Sequence, residues 1–438
     1  MTRRQSLTCA RRREPVRLLA VDGARKPTRK EAISHRSSTE AGPAFQELAT
    51  TRKPRLRYAS GSAAPQVTVL RRIAPAPAFG NQIHGHKPAG LTDARAWTAT
   101  TETRSDEGVR GRTVRERAGA RMREVPEPDV GEHDVLVEVR AASVNPLDAK
   151  IRDGEFKLIL PYRVPFVLGH DMAGQVVRVG SAVRSFAPGD AVYARPRKDR
   201  IGTFAELIAV HEDDLALKPS TLTMVEAAAL PLVALTAWQA LVERANLRPG
   251  QKVLVHAGSG GVGTIAIQLA KHLGAHVATT AGTANVKWVE DLGADVVVDY
   301  RRDDFETILR DYDVVLDSLG GETLEKSLRV LKPGGIAIGL GGPPDPAFAR
   351  EIDANPVVRL ATVLLSARTR LRARRRHVRY SFLFMRASGE QLRAIAALVD
   401  AGTIRPVVDR LFPFESTKEA MAYVGSGRAK GKVVVTMG

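Results

Sequence analysis

Residues Gln251 to Lys271 read QKVLVHAGSGGVGTIAIQLAK, and few folds accommodate such a stretch. Lys252 to His256 is short, apolar and β-branched, the pattern of a strand buried in a parallel sheet. Ala257 to Gly263 comes directly after it, and Thr264 to Leu273 then carries the apolar spacing of a helix. Strand, glycine turn and helix in this order form a dinucleotide-binding fingerprint. Gly258 is expected to permit the tight turn, Gly260 to let backbone approach a pyrophosphate, and Gly263 to let helix and strand pack closely. Ser259, Gly261 and Val262 complete the cradle. Unpaired N–H groups at the helix start, with the positive end of its dipole, face the phosphates.

The chain after this element alternates. Strands are predicted at Val277–Thr280, Val296–Val298, Val314–Leu316, Ile336–Ile338 and Arg379–Met385, with helices at Val286–Leu292, Leu324–Leu331 and Gln391–Ala401. That is the pattern of a doubly wound parallel sheet with ligand groups at the strand ends. Before it, from Arg123, short strands separated by turn residues (Val135–Val139, Phe166–Leu168, Gly174–Val179, Ala191–Tyr193, Gly202–Val210) predict a compact β-barrel-like domain. The apolar run Ala227–Val242 contains Pro231 and Gln239 and reads as a buried helix pair rather than a membrane span.

Net charge alone suggests nucleic acid or an acidic membrane, but its distribution argues otherwise. Residues 1–123 hold 26 Lys and Arg against 10 Asp and Glu, so +16 of the chain's +18 sits there and the rest carries +2. No nucleic-acid partner is expected for the folded part. The first 120 or so residues lack a sustained apolar period and cannot bury enough surface to offset their ordering entropy. A disordered tail, a long transit peptide, an arginine-rich nucleic-acid segment around Arg11–Arg13 and a misassigned upstream translation are the four readings of this leader. The only cysteine, Cys9, excludes a disulfide framework and a cysteine-based metal site in the main body. His84 and His86 make no metal-ligand spacing with it. The run Arg368–Arg379 reads as a solvated helix face, with an anionic-membrane or partner contact as the alternative.

The stretch downstream of the glycines indicates the nucleotide. An NAD site usually places an acid about 20 residues on, to hold the ribose 2′-OH. No Asp or Glu occurs between Gly263 and Glu290. The missing carboxylate favours a 2′-phosphate and therefore NADPH, with Thr283, Asn285, Lys287 and Tyr300 as its candidate donors.

From Glu124 onward the chain resembles the zinc-independent medium-chain dehydrogenase/reductase superfamily, in its quinone oxidoreductase branch. The stretches that carry the resemblance are ASVNPLD (142–148), GHDMAG (169–174), LTAWQAL (235–241), the glycine loop, LGAD (292–295) and KGKVV (430–434). RYSFLFM and the ending GRAKGK are similar to the reticulon-interacting NADPH reductases and their bacterial relatives. The resemblance implies a GroES-like catalytic domain, residues 122–235 completed by 387–438, and a Rossmann NADP-binding domain, 236–386, with substrate in the cleft between them. Residues 1–121 fall outside it. Zinc-dependent members use a cysteine where this chain has Asn145 and a glutamate where Asp171 follows His170, so no metal site is expected.

Without a Lewis acid, reduction of a quinone or an α,β-unsaturated carbonyl remains feasible, because hydride adds at carbon and the oxygen needs only a donor. Asn145 and Lys150 are the candidates for that donor. The resemblance places Thr236 and Gly341 near the nicotinamide and includes Lys430 in the cofactor site. An NADPH-binding regulatory or scaffold protein with weak or no catalysis is the alternative. A cytoplasmic location is expected; relatives are often dimers, which leaves a homodimer open here. Relatives also begin with a strand just before the EVPEP segment, but here Arg110–Arg117 shows no strand pattern. The barrel is therefore expected to lack that strand, or to have it replaced, and to expose an edge.

Overall fold

The computed structural model describes residues 15–21, 120–156, 162–163 and 165–437. Within it, the run PVRLLAV forms a strand that pairs with the segment leading into EVPEP. β1 (Pro15–Val21) lies antiparallel to β2 (Ala120–Pro126) along its whole length, from Pro15 opposite Pro126 to Val21 opposite Ala120. Leu19 is fully buried; its N–H donates to Phe204 O at 2.9 Å and its carbonyl accepts from Leu168 N at 3.2 Å. The expectation of an exposed barrel edge is thus corrected for residues 15–21. The rest of the leader up to Gly119, including Arg110–Arg117, His84, His86, Cys9 and Arg11–Arg13, lies outside the described residues.

β3 (Asp134–Val144), β4 (Phe166–Val167), β5 (Asp171–Val179), β6 (Ala191–Ala194), β7 (Leu207–His211) and β8 (Leu215–Leu217) build the rest of the first domain. β4 pairs with β1 at Ala20 and Val21. The strand expected over 202–210 begins only at Leu207. Ahead of it, Gly202 N bonds Gly169 O, Phe204 N bonds Leu168 O and Glu206 N bonds Arg17 O, so that backbone serves its neighbours instead.

The second domain contains β9 (Lys252–Val255), β10 (His276–Ala281), β11 (Val296–Asp299), β12 (Tyr312–Asp317), β13 (Leu331–Gly339) and β14 (Arg379–Phe382). All pair in parallel in the order β11-β10-β9-β12-β13-β14, with the switch point between β9 and β12. Val253, Leu254 and Val255 are completely buried, as a central parallel strand requires. β15 (Val408–Pro413) and β16 (Lys432–Thr436) then return to the barrel, where β16 pairs antiparallel with β3. The resulting sheet runs β15-β16-β3-β5-β6-β8, with β7 on β3.

The apolar run before β9 forms buried helices at Met224–Ala228 and Pro231–Trp238 and a π-helical turn at Gln239–Arg244. Among the described residues no helix is long and apolar enough to cross a membrane. The basic run sits on the helix Pro356–Arg375 and just after it. That helix buries the small Thr362, Ser366 and Ala373 and leaves Val357, Leu360, Leu364 and Leu371 exposed, so its outer face is partly apolar rather than uniformly solvated charge.

The role of β1 is measurable. Leu19→Ala should lower unfolding stability by about 2–5 kcal/mol, the range for truncating a buried leucine. Urea denaturation reads this directly, and an unchanged midpoint would show that β1 is not part of the barrel.

Candidate functional site

The glycine turn owes its shape to clearance. A Cβ on Gly258 would stand 2.1 Å from Thr279 Oγ1, and one on Gly263 would stand 2.4 Å from Ala257 O. The left-handed residue of the turn is Ala257, with φ +53°, so Gly258 is there for space against β10 rather than for its own dihedral. A Cβ on Gly260 would meet only Ala257 O, at 3.3 Å, which leaves the approach to the helix Gly261–His272 open. The chain end is tied to this loop: Gly431 N donates to Ser259 O at 2.9 Å. Behind the loop, Asn285 Nδ2 donates to Ser259 Oγ at 3.2 Å, while Asn285 Oδ1 is buried and has no partner among the described residues. An open glycine cradle fits the phosphates of a dinucleotide, whose oxygens accept from the helix N–H groups, and the buried Asn285 Oδ1 fits a donor such as a ribose hydroxyl.

At the end of β10 the four expected donors separate. Lys287 points along its own helix to Asp291 at 2.7 Å and is 84% exposed. Thr283 Oγ1 donates to Asp299 Oδ2 at 2.6 Å, which holds the Asp299 carboxyl below its usual range. Lys287 and Thr283 thus each have a carboxylate partner. Asp299 reaches this loop from β11, so a carboxylate that sequence spacing does not show stands there after all. Arg302 offsets it at 3.5 Å. Tyr300 is exposed, and its hydroxyl and Arg301 Nε would both lie within 3.4 Å of a Cβ at Gly282. Sequence spacing alone misses Arg301 here; its signal is the basic pair directly after Tyr300.

In the barrel, one buried carboxylate gathers the polar groups. Asp171 Oδ2 accepts from Ser143 Oγ at 2.7 Å, Asn145 Nδ2 at 2.9 Å and Lys432 Nζ at 3.1 Å, and Oδ1 accepts from Leu232 N at 2.7 Å. Lys432 also donates to Asn145 Oδ1 at 2.5 Å. Both ends of the Asn145 amide are used and the residue is 2% exposed, so its observed contacts are those of a positioning residue, not of a free donor. Lys150 is exposed on the helix Pro146–Arg152. Lys430 is exposed as well, whereas Lys432, overlooked in the sequence, is the buried cation. Strand alternation carries the signal: a lysine opening the apolar run KVVV shares its face with Val434, and because the valines of both faces are buried the lysine is buried too.

His170 Nδ1 lies 2.6 Å from Asp148 Oδ1, and its Nε2 is buried without a partner among the described residues. No group of three or more His, Cys, Asp or Glu positioned to hold a metal occurs among the described residues.

Thr236 is buried and donates to Leu232 O at 2.6 Å. Gly341 packs on the loop after β12, where a Cβ on Gly320 would stand 2.6 Å from Gly341 O. Asp317 shapes that loop by accepting from Leu319 N at 2.8 Å and Gly320 N at 2.6 Å. His256, between Thr280 Oγ1 at 3.2 Å and Ser327 Oγ at 2.9 Å, is pushed down by burial to about 4 and stays neutral near pH 7. Beside this region lies a cavity of about 1100 Å³, whose walls include Arg195, Gln239, Phe348 and Phe384. Its wall residue Leu383 donates its N–H to Gly339 O at 3.0 Å, which places the cavity next to the Gly339–Gly341 segment.

Asp171→Asn should cost about 3–5 kcal/mol, because it leaves the Lys432 ammonium buried without a counter-charge. The double variant with Lys432→Met should recover part of that loss in chemical denaturation. Strictly additive losses would show that the two side chains do not interact.

The family model of the alcohol dehydrogenase GroES-like domain matches residues 131–220, and that of the zinc-binding dehydrogenase matches residues 292–435. The chain is 36% identical over 318 residues to the 2-methylene-furan-3-one reductase of Solanum lycopersicum, covering 70% of this chain and 73% of that protein. It is 37% identical over 328 residues to the human mitochondrial NAD(P)H oxidoreductase RTN4IP1, covering 70% of this chain and 82% of that protein. Among solved structures, the quinone oxidoreductase from Coxiella burnetii superposes with a TM-score of 0.64 at 30% identity, over 72% of this chain and 94% of the other. The clearance of the glycine turn, the parallel strand order and these likenesses agree: the chain belongs to the medium-chain dehydrogenase/reductase superfamily of oxidoreductases, in its quinone oxidoreductase branch.

Proposed function

We propose that this protein is an NADPH-dependent reductase that transfers hydride to a quinone or an α,β-unsaturated carbonyl without a metal. The observation that carries the reading is the cradle itself. Gly260 leaves the helix start open to phosphate, and the unpartnered Asn285 Oδ1 waits beside it. Tyr300 and Arg301, packed against Gly282, are the donors for a 2′-phosphate, with Arg302 neutralising Asp299. The names of relatives add support, since they describe enone and quinone reductases.

The donor set favours chemistry without zinc. Asn145 is an amide bound to Lys432 and Asp171, and His170 already shares Asp148. Bound NADPH supplies the hydride. As hydride enters the β-carbon of an enone, the electron pair moves to the carbonyl oxygen, and solvent returns a proton to the α-carbon. The chain must then stabilise negative charge at that oxygen. Lys150, exposed and cationic, is the candidate donor; Asn145, held by Lys432 and Asp171, keeps the start of the Lys150 helix in place.

Two measurements test this. Purified protein with a panel of ortho-quinones and enones should oxidise NADPH, and tight NADPH binding without oxidation would instead favour a regulatory role. Arg301→Ala should raise KM for NADPH about 10-fold or more while leaving KM for NADH nearly unchanged, the loss expected of one charge-assisted hydrogen bond. Equal effects on both nucleotides would remove the assignment of Arg301.

A further inference from the structure

Arg195 is the largest fully buried side chain of the molecule's described residues, at 1% exposure. Its guanidinium donates from Nη1 to Pro196 O at 3.0 Å, while Nε is buried with no partner among the described residues. No carboxylate of those residues forms an ion pair with it; Asp171, Asp214 and Asp148 act on it only through space. A buried cation without a paired carboxylate costs several kcal/mol. Burial accordingly pulls its pKa down from the usual arginine value.

The location suggests what offsets that cost. Arg195 lies on the wall of the 1100 Å³ cavity, which the apolar Phe348, Leu383, Phe384 and Met385 also line. Other charges of the wall have partners: Arg197 with Asp214 at 2.8 Å, Arg386 with Glu243 at 2.9 Å, Arg244 with Glu351 at 2.8 Å, and the half-buried Glu212 with His133 at 2.7 Å. Asp199, Asp213, Glu390 and Arg393 are exposed at the rim, and Lys198 lies half-buried with them. A pocket lined by four apolar side chains and by one buried arginine without a paired carboxylate among the described residues matches a ligand with an apolar body and one negative charge.

We propose that Arg195 is a specificity-determining residue that binds the carboxylate of an acidic substrate, so that the preferred enone or quinone carries a carboxylate on an apolar chain. This rests on the reductase reading above and narrows its substrate class. A guanidinium meets a carboxylate through two parallel N–H···O bonds, and its free Nε–H is one member of such a fork.

The test compares an enone bearing a terminal carboxylate on an alkyl chain with its methyl ester, in NADPH oxidation by the full chain. Wild type should prefer the acid by about 10- to 100-fold in kcat/KM, the gain of a charged hydrogen bond, expressed mainly in KM. In Arg195→Met the acid-to-ester ratio should fall towards one, and Arg195→Lys should restore part of it. A wild-type ratio near or below one, or a ratio unchanged in the Met variant, overturns the proposal. If the Met variant melts early, the wild-type and Lys ratios still decide. Oxidation with neither compound would instead overturn the reductase reading, and this inference with it.

Discussion

The Asp171 carboxylate is the junction on which the two domains depend. It binds Ser143 and Asn145 from the end of β3, Lys432 from the first residue of β16, and the backbone N–H of Leu232 in the first turn of the helix Pro231–Trp238. Together with Asp171 these groups come from four separate stretches of chain, and each is nearly or wholly withdrawn from water. In that setting each hydrogen bond is strong and each unpaired group costly, so the cluster has one satisfied arrangement. The consequence reaches the cofactor loop. The Lys432 side chain passes the helix start, where a Cβ on Gly261 would stand 2.9 Å from Lys432 Cδ, and the preceding Gly431 is bonded to Ser259. One ion cluster therefore fixes the barrel, the chain end and the phosphate cradle together.

The charge pattern around the cleft divides into satisfied and unsatisfied groups, and the division is informative. Asp171 and Lys432 are buried and paired. His256 is buried and neutral, held between two hydroxyls. Asn285 Oδ1, His170 Nε2, Thr203 Oγ1 and Arg195 Nε are buried without partners among the described residues. Asn285 lies beside the glycine loop and Arg195 on the cavity wall, and native interiors leave few such atoms.

The larger elements were legible because their signals are local. The strand, glycine turn and helix of residues 251–273, the later alternation and the buried helix pair all arise from periodicity and side-chain size over ten or fifteen residues. Boundaries shifted where tertiary pairing competes, as at Gly202–Glu206, whose backbone bonds elsewhere. The polar site was only half legible. Motif and spacing named Lys430 and Lys287, which are exposed, and did not single out Lys432, which is buried, or Arg301, which lies against Gly282, because exposure and direction of a side chain depend on partners distant in sequence.

The sequence by itself determined that a dinucleotide-type cradle exists, that the sheet behind it is parallel, and that the charge excess lies in the leader. Local backbone geometry and residue type suffice for these. The tertiary structure alone decided that residues 15–21 close the barrel, that Asp299 comes to Thr283, and that Arg195 is sealed beside a cavity with no counter-ion among the described residues. Each of these joins groups far apart along the chain, and their energies arise from burial and mutual distance, which no window of neighbouring residues contains.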